Sequence, residues 1–529
     1  MRGLEGCPQL SAGETWLKRC SMDIIYQQHG HNLSAAPSYR HRIALKNRGC
    51  ANPLGARWMP RKKIVLYNPR AVFFTMPLGL LAVGSALDRT RYDVVIVDAR
   101  LEADPIEALL AALEGAACLG IGVLTGEPIR DAVAASRAAK VRFPHLPVVW
   151  GGWHPSLFGK GCLEEPSVDA TVQAQGEETF REIVDRLAQG ESLRGAAGCT
   201  FRNERGEAEQ NAPRALKAVD NFASHDYTLL PIERFFTLKG KRQLDYITSQ
   251  GCFFRCAFCA DPLVYGRRWV GLSPERVGTE LADLHARYGF DDVNFQDETY
   301  FTYADRVAEI AEQILRHGLK ISWAATMRAD QGDRLPEEVM ALCRRSGLRR
   351  LIIGVEAGSQ AMMDHIKKDI KLEQVFRSAE KCRRHGVAVI FPFIVCFPNE
   401  SDASIQASLD VAHRLRAMSP TFSTPIYYFK PYPGTRLTDE AEQYGYVPPK
   451  TLEEWANWDW YDSDGPWVTP ARARLIERYK YYQDVAYTAS GFWSKPLQKV
   501  ARWRVEKNRF ALPVEKVISD RMWPRQALS

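Results

Sequence analysis

Short apolar segments alternate with longer amphipathic segments through most of the chain, beginning at Lys63. In the first half, five apolar runs of strand length are separated by stretches whose hydrophobic residues recur at helical spacing. Strands that alternate with helices of this length predict a parallel sheet with helices on both faces. The predicted strands cover residues 64–67, 94–97, 118–123, 148–150 and 170–172.

Small and polar residues follow several of these strands. In an open parallel sheet, ligands bind beyond the carboxyl ends of the strands, so the loops at those ends form the predicted cofactor site. The candidate residues in these loops are Asn68, Gly122, Thr125, Gly151, Gly152, His154, Gly176 and Glu177.

A second series of alternating strands and helices follows. Its first long helix is predicted to begin at Ser273 and Pro274, because serine favours the N-cap and proline the first helical position. Six β/α units in succession predict a barrel or partial barrel, in which chemistry lies at the carboxyl ends of the strands. The predicted strands cover residues 244–248, 293–296, 321–325, 351–355, 387–391 and 425–429.

The predicted fold class is therefore α/β, with a doubly wound Rossmann-like domain, a (β/α)6 partial barrel and a helical C-terminal region. Residues 1–58 lack a sustained hydrophobic period and are broken by Gly and Pro, which predicts a disordered extension or a start assigned too early, with Met59 as the true start. The other predicted segments are the first domain at 59–190, a linker at 191–238, the barrel at 239–440 and the helical region at 441–529.

The net charge of +7 is concentrated at the N-terminus, because residues 1–58 carry +5 of it. A nearly neutral remainder does not supply the basic surface that nucleic-acid binding requires, so no nucleic-acid partner is expected. No segment has the length and apolarity of a transmembrane helix, and no secretory signal pattern is present. These features predict a cytoplasmic protein.

Three of the twelve cysteines, Cys252, Cys256 and Cys259, lie within eight residues, directly after the first strand of the second series. Three thiolates on one loop can ligate three irons of a cubane [4Fe-4S] cluster and leave the fourth iron open to an exogenous ligand. A structural zinc site normally needs four protein ligands, and no second Cys/His pair lies nearby. The non-enzymatic alternative is a binding protein stabilised by zinc.

The C-x3-C-x2-C loop resembles the signature of the radical S-adenosylmethionine (radical SAM) superfamily, in which such a loop follows the first strand of a six-stranded partial barrel. The resemblance covers roughly residues 246–435. It implies that S-adenosylmethionine binds beside the cluster and is cleaved reductively. Cys396 stands where the family often has glycine, so that contact is not carried over. By resemblance, the S-adenosylmethionine-binding residues are Phe258, Asp297, Glu298, Arg328 and Glu356.

The first domain resembles the cobalamin-binding domain of one large branch of this superfamily, and the loop residues from Asn68 to Glu177 given above are the matching positions. A D-x-H-x-x-G motif, which supplies an axial histidine in other cobalamin proteins, is absent from the sequence, as is usual in this branch. The resemblance implies that cobalamin is a cofactor and that His154 packs or contacts a corrin amide rather than cobalt.

The resemblance implies an enzyme that methylates an unactivated carbon of a small-molecule or natural-product substrate, with an electron donor such as flavodoxin or ferredoxin as partner. An oxidative cyclisation or another radical rearrangement remains open, because the anaerobic magnesium-protoporphyrin ester cyclase has the same domain order. A tRNA methylthiotransferase is disfavoured, since the N-terminal cysteines are too dispersed for a second cluster. The sequence assigns no catalytic side chain and does not identify the substrate.

Overall fold

The computed structural model describes residues 61–458, 465–488 and 495–510, together with Glu515. Residues 1–58, for which the sequence predicts a disordered extension or a start assigned too early, lie outside the described residues. From Arg61 to Ala511 the chain forms one unit, which contains both predicted sheets and the helices that follow them.

The first sheet has seven strands in the spatial order β2-β1-β3-β4-β5-β6-β7. Its first five strands are parallel, as the sequence predicts, and the last two are antiparallel. The strands are β1 (Lys62–Asn68), β2 (Tyr92–Asp98), β3 (Ala116–Gly122), β4 (Val148–Gly151), β5 (Ala170–Val172), β6 (Cys199–Arg202) and β7 (Ala208–Gln210).

Helices cover both faces of this sheet, which confirms the doubly wound arrangement. One hydrophobic cluster joins the sheet to α2 and α3, and a second joins it to α1 and α6. Helix α2 starts where Asp104 accepts a hydrogen bond from the backbone N–H of Glu107. The helices are α1 (Leu78–Ser85), α2 (Pro105–Leu113), α3 (Glu127–Arg142), α4 (Trp153–Leu157), α5 (Gly159–Cys162) and α6 (Gly176–Gln189).

Strands β6 and β7 lie within residues 191–238, which the sequence analysis assigns to a linker. Each has three or four residues, and the side chains of β7 are exposed or half-exposed. Strands of three or four residues are too short to show a hydrophobic period, so the sequence gives no signal for them. The sheet of the first domain therefore extends beyond residue 190.

The second sheet is a parallel six-stranded sheet in the order β8-β11-β12-β13-β14-β16, which follows the chain order of its strands. Two further short sheets pair β9 with β10 and β15 with β17. The strands are β8 (Gln243–Tyr246), β9 (Ser249–Gly251), β10 (Trp269–Gly271), β11 (Asp292–Phe295), β12 (Ser322–Arg328), β13 (Leu348–Gly354), β14 (Ala388–Ile390), β15 (Phe393–Val395), β16 (Phe422–Ser423) and β17 (Ile426–Tyr428).

The fifth and sixth predicted strands are each divided in two. Pro392 separates β14 from β15, and Pro425 separates β16 from β17. Proline has no N–H to donate to a β-ladder, so the pairing breaks at these positions. Beyond the break, the backbone N–H groups of Val355 and Glu356 bond to the carbonyl of Pro392, which turns the end of β13 toward β15.

Helices α7 to α16 follow or surround the second sheet and complete the partial barrel. Helix α9 begins at Pro274 after Ser273, as predicted. The helices are α7 (Ile232–Lys239), α8 (Asp261–Val264), α9 (Pro274–Tyr288), α10 (Ala304–Arg316), α11 (Ala329–Arg334), α12 (Glu337–Arg345), α13 (Gln360–His365), α14 (Leu372–Arg384), α15 (Asp402–Met418) and α16 (Arg436–Gln443).

A fully buried aspartate joins the two sheets. Asp245, on β8, accepts hydrogen bonds from the backbone N–H of Met76, which precedes α1, and from the side chain of Gln296. Its carboxylate also forms an ion pair with Lys239, and neither charged side chain is exposed. Lys239 compensates the buried charge of Asp245, and the hydrogen bond from the Met76 N–H holds the segment before α1 against β8.

The C-terminal helices pack on both halves of the molecule. Helix α17 (Leu452–Ala456) packs against α3 of the first domain, whereas α18 (Pro470–Thr488) and α19 (Lys495–Glu506) contribute to the core of the barrel. The described part of the chain contains no helix with the length and apolarity needed to cross a membrane.

Candidate functional site

The three clustered cysteines lie on one loop between β9 and α8, just beyond the carboxyl end of β8. Strand β9 pairs with β10 and frames this loop. Gly251, the last residue of β9, has a φ of +83°, and a Cβ there would lie 2.4 Å from the carbonyl oxygen of Arg268. Only glycine meets both requirements, so the chain can turn tightly into Cys252.

The three thiols are free, half-buried and close enough to influence one another. Burial raises the pKa of the Cys252 thiol to about 11, and the neighbouring sulfur of Cys256 acts in the same direction. Burial also raises the pKa of Cys259, to which both other cysteines contribute. Such a group of sulfurs needs positive charge to be held as thiolates, which is what iron ions supply.

The backbone at Phe254 acts to lower the pKa of the Cys252 thiol, and the backbone at Asp261 acts to lower that of the Cys259 thiol, but burial outweighs both effects. In the part of the chain that the structure describes, no group of three or more His, Cys, Asp or Glu side chains is arranged as a metal site. The cysteines are therefore assigned as candidate cluster ligands from their spacing and their shared loop.

Arg328, at the end of β12, contacts the cysteine loop directly. Its guanidinium donates to the sulfur of Cys256 at 3.6 Å and lies 3.7 Å from the ring centre of Phe254. The same side chain donates to Asp330 and to the backbone carbonyl of Lys368. The predicted S-adenosylmethionine-binding residue is therefore placed against a candidate cluster ligand.

Glu356 folds back over the end of β13. It has a φ of +68°, and its carboxylate accepts a hydrogen bond of 2.8 Å from Lys368. A Cβ at Gly354 would lie 2.3 Å from the Glu356 carboxylate and 2.9 Å from the Lys368 ammonium, so a side chain there would displace this ion pair. The Lys368 ammonium lies 5.9 Å from the ring centre of Phe258, on the cysteine loop. The structure thus brings Phe258, Arg328 and Glu356 together around this loop.

Lys368 is a residue that the sequence analysis did not identify. It is buried, and it connects Glu356 to the backbone of the segment that contacts Arg328. In the sequence it is one of two adjacent lysines after a short helix, which is typical of an exposed turn. Nothing in that pattern indicates burial beside three cysteines.

Asp297 and Glu298 lie beyond the end of β11 but have different surroundings. Asp297 is buried and accepts hydrogen bonds from Thr248 and Ser249, which lead into the cysteine loop. Glu298 accepts one from the backbone N–H of Gly251 at 3.1 Å. Burial, with a contribution from the nearby Asp261 carboxylate, raises the pKa of Glu298 to about 8. Asp297 therefore holds the loop in place, while Glu298 lies beside its first residue.

A cavity of about 340 Å³ opens beyond the carboxyl ends of the first-domain strands. Six of the eight loop residues proposed from the sequence line it: Asn68, Gly122, Gly151, Gly152, Gly176 and Glu177. A Cβ at Gly122 would lie 3.2 Å from Leu80, and one at Gly176 would lie 3.0 Å from Val83. The glycines therefore keep space open between the sheet and α1. The lining combines apolar side chains with amide and carboxylate groups, which suits cobalamin, a ligand with both rings and amides.

Thr125 and His154 do not line this cavity. Both are buried, and the Thr125 hydroxyl lies 3.2 Å from Nδ1 of His154. The imidazole packs against Phe158 and Trp455, and its Nε2 has no hydrogen-bond partner among the described residues. This histidine belongs to the contact between the first domain and α17.

Burial lowers the pKa of His154 from 6.5 to about 4. As the pH falls, His154 is protonated in the unfolded chain before it is protonated in the folded protein. The free energy of unfolding should therefore decrease by up to about 3 kcal/mol between pH 6.5 and about pH 4. Exchange of His154→Asn should remove most of this decrease, because an amide does not titrate. Urea unfolding of both proteins across the interval measures the effect, and parallel pH profiles would contradict it.

Two side chains belong to both the cavity and the surroundings of the cysteine loop. Tyr265 lines the cavity, where its ring meets Trp153 edge-on at 6.0 Å, and burial together with the nearby Glu298 carboxylate raises the pKa of its hydroxyl. Gln250 also lines the cavity, donates to Glu177 and lies two residues before Cys252. Neither residue stands out in the sequence, because each becomes informative only when the two domains are brought together.

Family comparisons agree with this division of the chain. Residues 246–412 match the model of the radical SAM superfamily. Residues 66–184 match the model of the B12 binding domain. The first match contains the three cysteines, and the second contains all the first-domain loop residues discussed above.

Three curated proteins similar to this chain are named as methyltransferases or as a cyclase. An uncharacterized methyltransferase, PH0819 of Pyrococcus horikoshii, is 31% identical over 69% of this chain and 78% of its own length. The cytidylyl-2-hydroxyethylphosphonate methyltransferase of Streptomyces wedmorensis is 25% identical over 74% of this chain and 83% of its own. The anaerobic magnesium-protoporphyrin IX monomethyl ester cyclase of Synechocystis is 24% identical over 62% of this chain and 66% of its own.

Two solved structures share the fold. The cobalamin-dependent S-adenosylmethionine radical enzyme OxsB, with aqua-cobalamin bound, aligns with a TM-score of 0.68 and 17% identity over 88% of this chain and 75% of that chain. The radical S-adenosylmethionine methyltransferase TsrM from Kitasatospora setae, with tryptophan and an S-adenosylmethionine analogue bound, aligns with a TM-score of 0.66 and 16% identity over 88% and 100%.

Proposed function

We propose a reaction for this chain, which belongs to the radical SAM superfamily, in the branch with an N-terminal B12-binding domain. The proposed reaction transfers a methyl group to an unactivated carbon of a small-molecule substrate. In this proposal Cys252, Cys256 and Cys259 hold the [4Fe-4S] cluster. The cavity of the first domain holds cobalamin. Together with S-adenosylmethionine, these groups supply an electron, a methyl carrier and a radical that activates a C–H bond.

The residues of the barrel would position S-adenosylmethionine. Glu356 is fixed by Lys368 through one carboxylate oxygen, so its negative charge is oriented before any cationic ligand arrives. Phe258 is close enough to Lys368 to share this pocket, and its position on the cysteine loop places an aromatic ring where an adenine could pack. Glu298 supplies a second carboxyl group on the side nearest the cavity.

The main support for the proposal is the wall that the first-domain cavity shares with the site around the cysteine loop. Tyr265 and Gln250 line the cavity, and both flank the loop that bears the cysteines. A methyl carrier in the cavity would therefore lie next to S-adenosylmethionine, as repeated methyl transfer requires. The names of two of the three relatives, which are methyltransferases, support the same reaction class.

An electron donor and a reducing environment are part of this proposal. The superfamily requires a reductant, and we propose a small electron-carrier protein for this role, in the cytoplasm. The nine cysteines in the described residues are all free thiols, which is compatible with that compartment.

The test uses protein purified without oxygen. Iron, sulfide and cobalt are measured first, and we expect four irons, four sulfides and one cobalt per chain. The protein is then incubated with S-adenosylmethionine labelled in its methyl group, a reductant and candidate substrates. A product heavier by one labelled methyl group supports the proposal. Deoxyadenosine without a methylated product would instead support a cyclase-like oxidation, and zinc without iron would refute both.

Exchange of Glu356→Gln should weaken the binding of S-adenosylmethionine roughly tenfold to a hundredfold, since a hydrogen bond to a charged group contributes about 1.5–3 kcal/mol. The cluster should remain, because among the described residues the Glu356 carboxylate bonds to Lys368 and not to a cysteine. Equilibrium dialysis measures the affinity, and the visible absorption measures the cluster.

The matched control is Glu380→Gln, which removes an exposed carboxylate on α14 that pairs only with Arg383 in the described contacts. It should leave the affinity unchanged. Equal affinities of the wild type and the Glu356→Gln protein would remove Glu356 from the proposed binding site.

A further inference from the structure

We propose that the outer face of α19 docks on a membrane surface that contains anionic phospholipids. This docking is independent of the proposed reaction, because none of the residues involved is assigned to a cofactor. Two sets of exposed residues, together called the basic face below, form the surface. They are an apolar pair, Val500 and Trp503, and the cations around it, Lys495, Lys499, Arg502, Lys507 and Arg509.

The inner face of α19 is fixed against the barrel. Ala501 and Val505 are buried in the barrel core. Beyond the end of the helix, the ring of Phe510 stacks on Tyr482 of α18 with 5.9 Å between the ring centres, and its backbone carbonyl accepts a hydrogen bond from Arg478. Because one side of the helix is held in this way, the opposite side is presented to solvent in a defined orientation.

An apolar pair lies on the exposed side of α19. Val500 is 37% exposed and Trp503 is 47% exposed. Residues three positions apart are neighbours on a helix surface, so the two side chains form one apolar spot. The N–H of Lys507 donates to the carbonyl of Trp503, which continues the helical turn and places a cation next to the tryptophan. Tryptophan is enriched at the interface between membrane and water, because its ring is apolar and its N–H is polar.

The segment around the apolar pair is strongly cationic. Residues 495–510 contain six Lys or Arg and one acidic residue, Glu506, which gives a net charge of +5. The whole chain beyond residue 58 carries only +2, so the remainder of that part is negative. Five of the six cations are exposed, and the sixth, Arg504, is buried over the ring of Tyr482. A positive surface of this kind attracts the anionic phospholipids of a membrane.

The shape and the chemistry of the basic face favour a membrane over a nucleic acid or an acidic protein. The face is the convex side of a single helix, and a helix with apolar and cationic side chains can lie in the plane of a bilayer interface. Three of the cations are lysines, whose apolar stems can lie along the apolar pair while the ammonium groups reach lipid phosphates. An acidic group stands at the edge of the face, where Asp410 of α15 accepts a hydrogen bond from Asn508.

The test measures how the full-length protein, as purified, sediments with lipid vesicles. One set of vesicles contains phosphatidylglycerol and phosphatidylcholine in equal parts, and the other contains phosphatidylcholine alone. Lys499→Glu with Lys507→Glu reverses two charges of the basic face. Val500→Ser with Trp503→Ser removes the apolar pair and leaves the charges in place.

Two further variants are controls. Arg316→Glu with Lys320→Glu makes the same change in charge at exposed positions at and just beyond the end of α10. Lys499→Arg with Lys507→Arg keeps the charge of the basic face. Thermal unfolding of every variant shows whether it is folded as the wild type is.

We expect the wild type to bind the vesicles that contain phosphatidylglycerol, with an affinity that decreases as salt is added. Reversal of the two charges should weaken binding by at least about tenfold, since each Lys or Arg near an anionic surface contributes about a fivefold gain in affinity. Loss of the apolar pair should weaken binding by at least about threefold. The α10 variant and the arginine variant should bind as the wild type does.

Insertion of Trp503 is measured separately with vesicles of brominated phospholipid, which quench tryptophan fluorescence on contact. The wild type should lose more fluorescence than the variant without Trp503. Equal quenching of the two proteins would contradict the contact of this ring with lipid.

Four outcomes of the sedimentation assay would overturn the inference. These are unchanged binding by the charge-reversal and apolar variants, an equal loss in the α10 variant, equal binding to phosphatidylcholine alone, and displacement by inorganic phosphate at constant ionic strength. Tighter binding of a DNA duplex than of vesicles at the same salt concentration would assign the basic face to nucleic acid instead. Because the assay needs no reaction, failure of the proposed methyl transfer would leave its result unchanged.

Discussion

Replacement of Cys252, Cys256 or Cys259 by alanine is expected to abolish both the visible absorption of the cluster and the cleavage of S-adenosylmethionine. Each thiolate holds one iron, and loss of one ligand exposes a second iron and destabilises the cubane. The rate of deoxyadenosine formation should fall to that of a sample without enzyme. Absorption spectra and product analysis of proteins reconstituted without oxygen measure both effects.

Cys382→Ala provides the matched control. This thiol is buried on α14, and burial raises its pKa to about 12, so it behaves as an apolar side chain of the core. Its loss should lower the free energy of unfolding by about 1–2 kcal/mol and leave the cluster intact. Full cleavage activity in any of the three loop variants would refute the assignment of the cluster ligands.

Exchange of Gly151→Leu is expected to weaken cobalamin binding by at least about tenfold, which corresponds to about 1.4 kcal/mol. Gly151 lines the cavity, and a Cβ there would meet only Val172, at 3.6 Å, so the backbone can accept a side chain. The remainder of the leucine would occupy space that the cofactor needs. Titration of the apoprotein with cobalamin, followed by its absorption spectrum, measures the affinity.

Gly161→Leu makes the same change outside the cavity. Gly161 lies on α5, and a Cβ there would meet only Phe158, at 3.8 Å. This variant should bind cobalamin as the wild type does, and both should unfold at similar temperatures. Normal cobalamin binding by the Gly151→Leu protein would show that the cavity is not the cofactor site.

Much of the architecture could be predicted from the sequence, because the relevant signals are local. All five parallel strands of the first domain were placed by their apolar runs, and α9 was placed by Ser273 and Pro274. The break in the fifth and sixth barrel strands was missed, although Pro392 and Pro425 mark it. Strands β6 and β7 were missed because strands of three or four residues carry too little hydrophobic pattern.

The candidate site was predictable only where residues are close in sequence. The spacing of the three cysteines indicates the cluster, and the glycines after the first-domain strands indicate the cavity. Lys368 was missed, because its contact with Glu356 spans two loops. Tyr265 was missed, because it connects the cavity to Glu298 only after the domains pack. Thr125 and His154 each follow a first-domain strand in sequence, but both are buried outside the lining of the cavity.

The sequence by itself determined the order of strands and helices, the cysteine loop and the family, since hydrophobic period and ligand spacing are properties of neighbouring residues. The tertiary structure alone decided which carboxylates face the cysteines, which loop residues line the cavity and which side chains join the two sites. The physical reason is that these contacts depend on the direction of a side chain and on the packing of distant segments. A buried charge such as Asp245 or Lys368 is tolerated only because folding brings its partner to it.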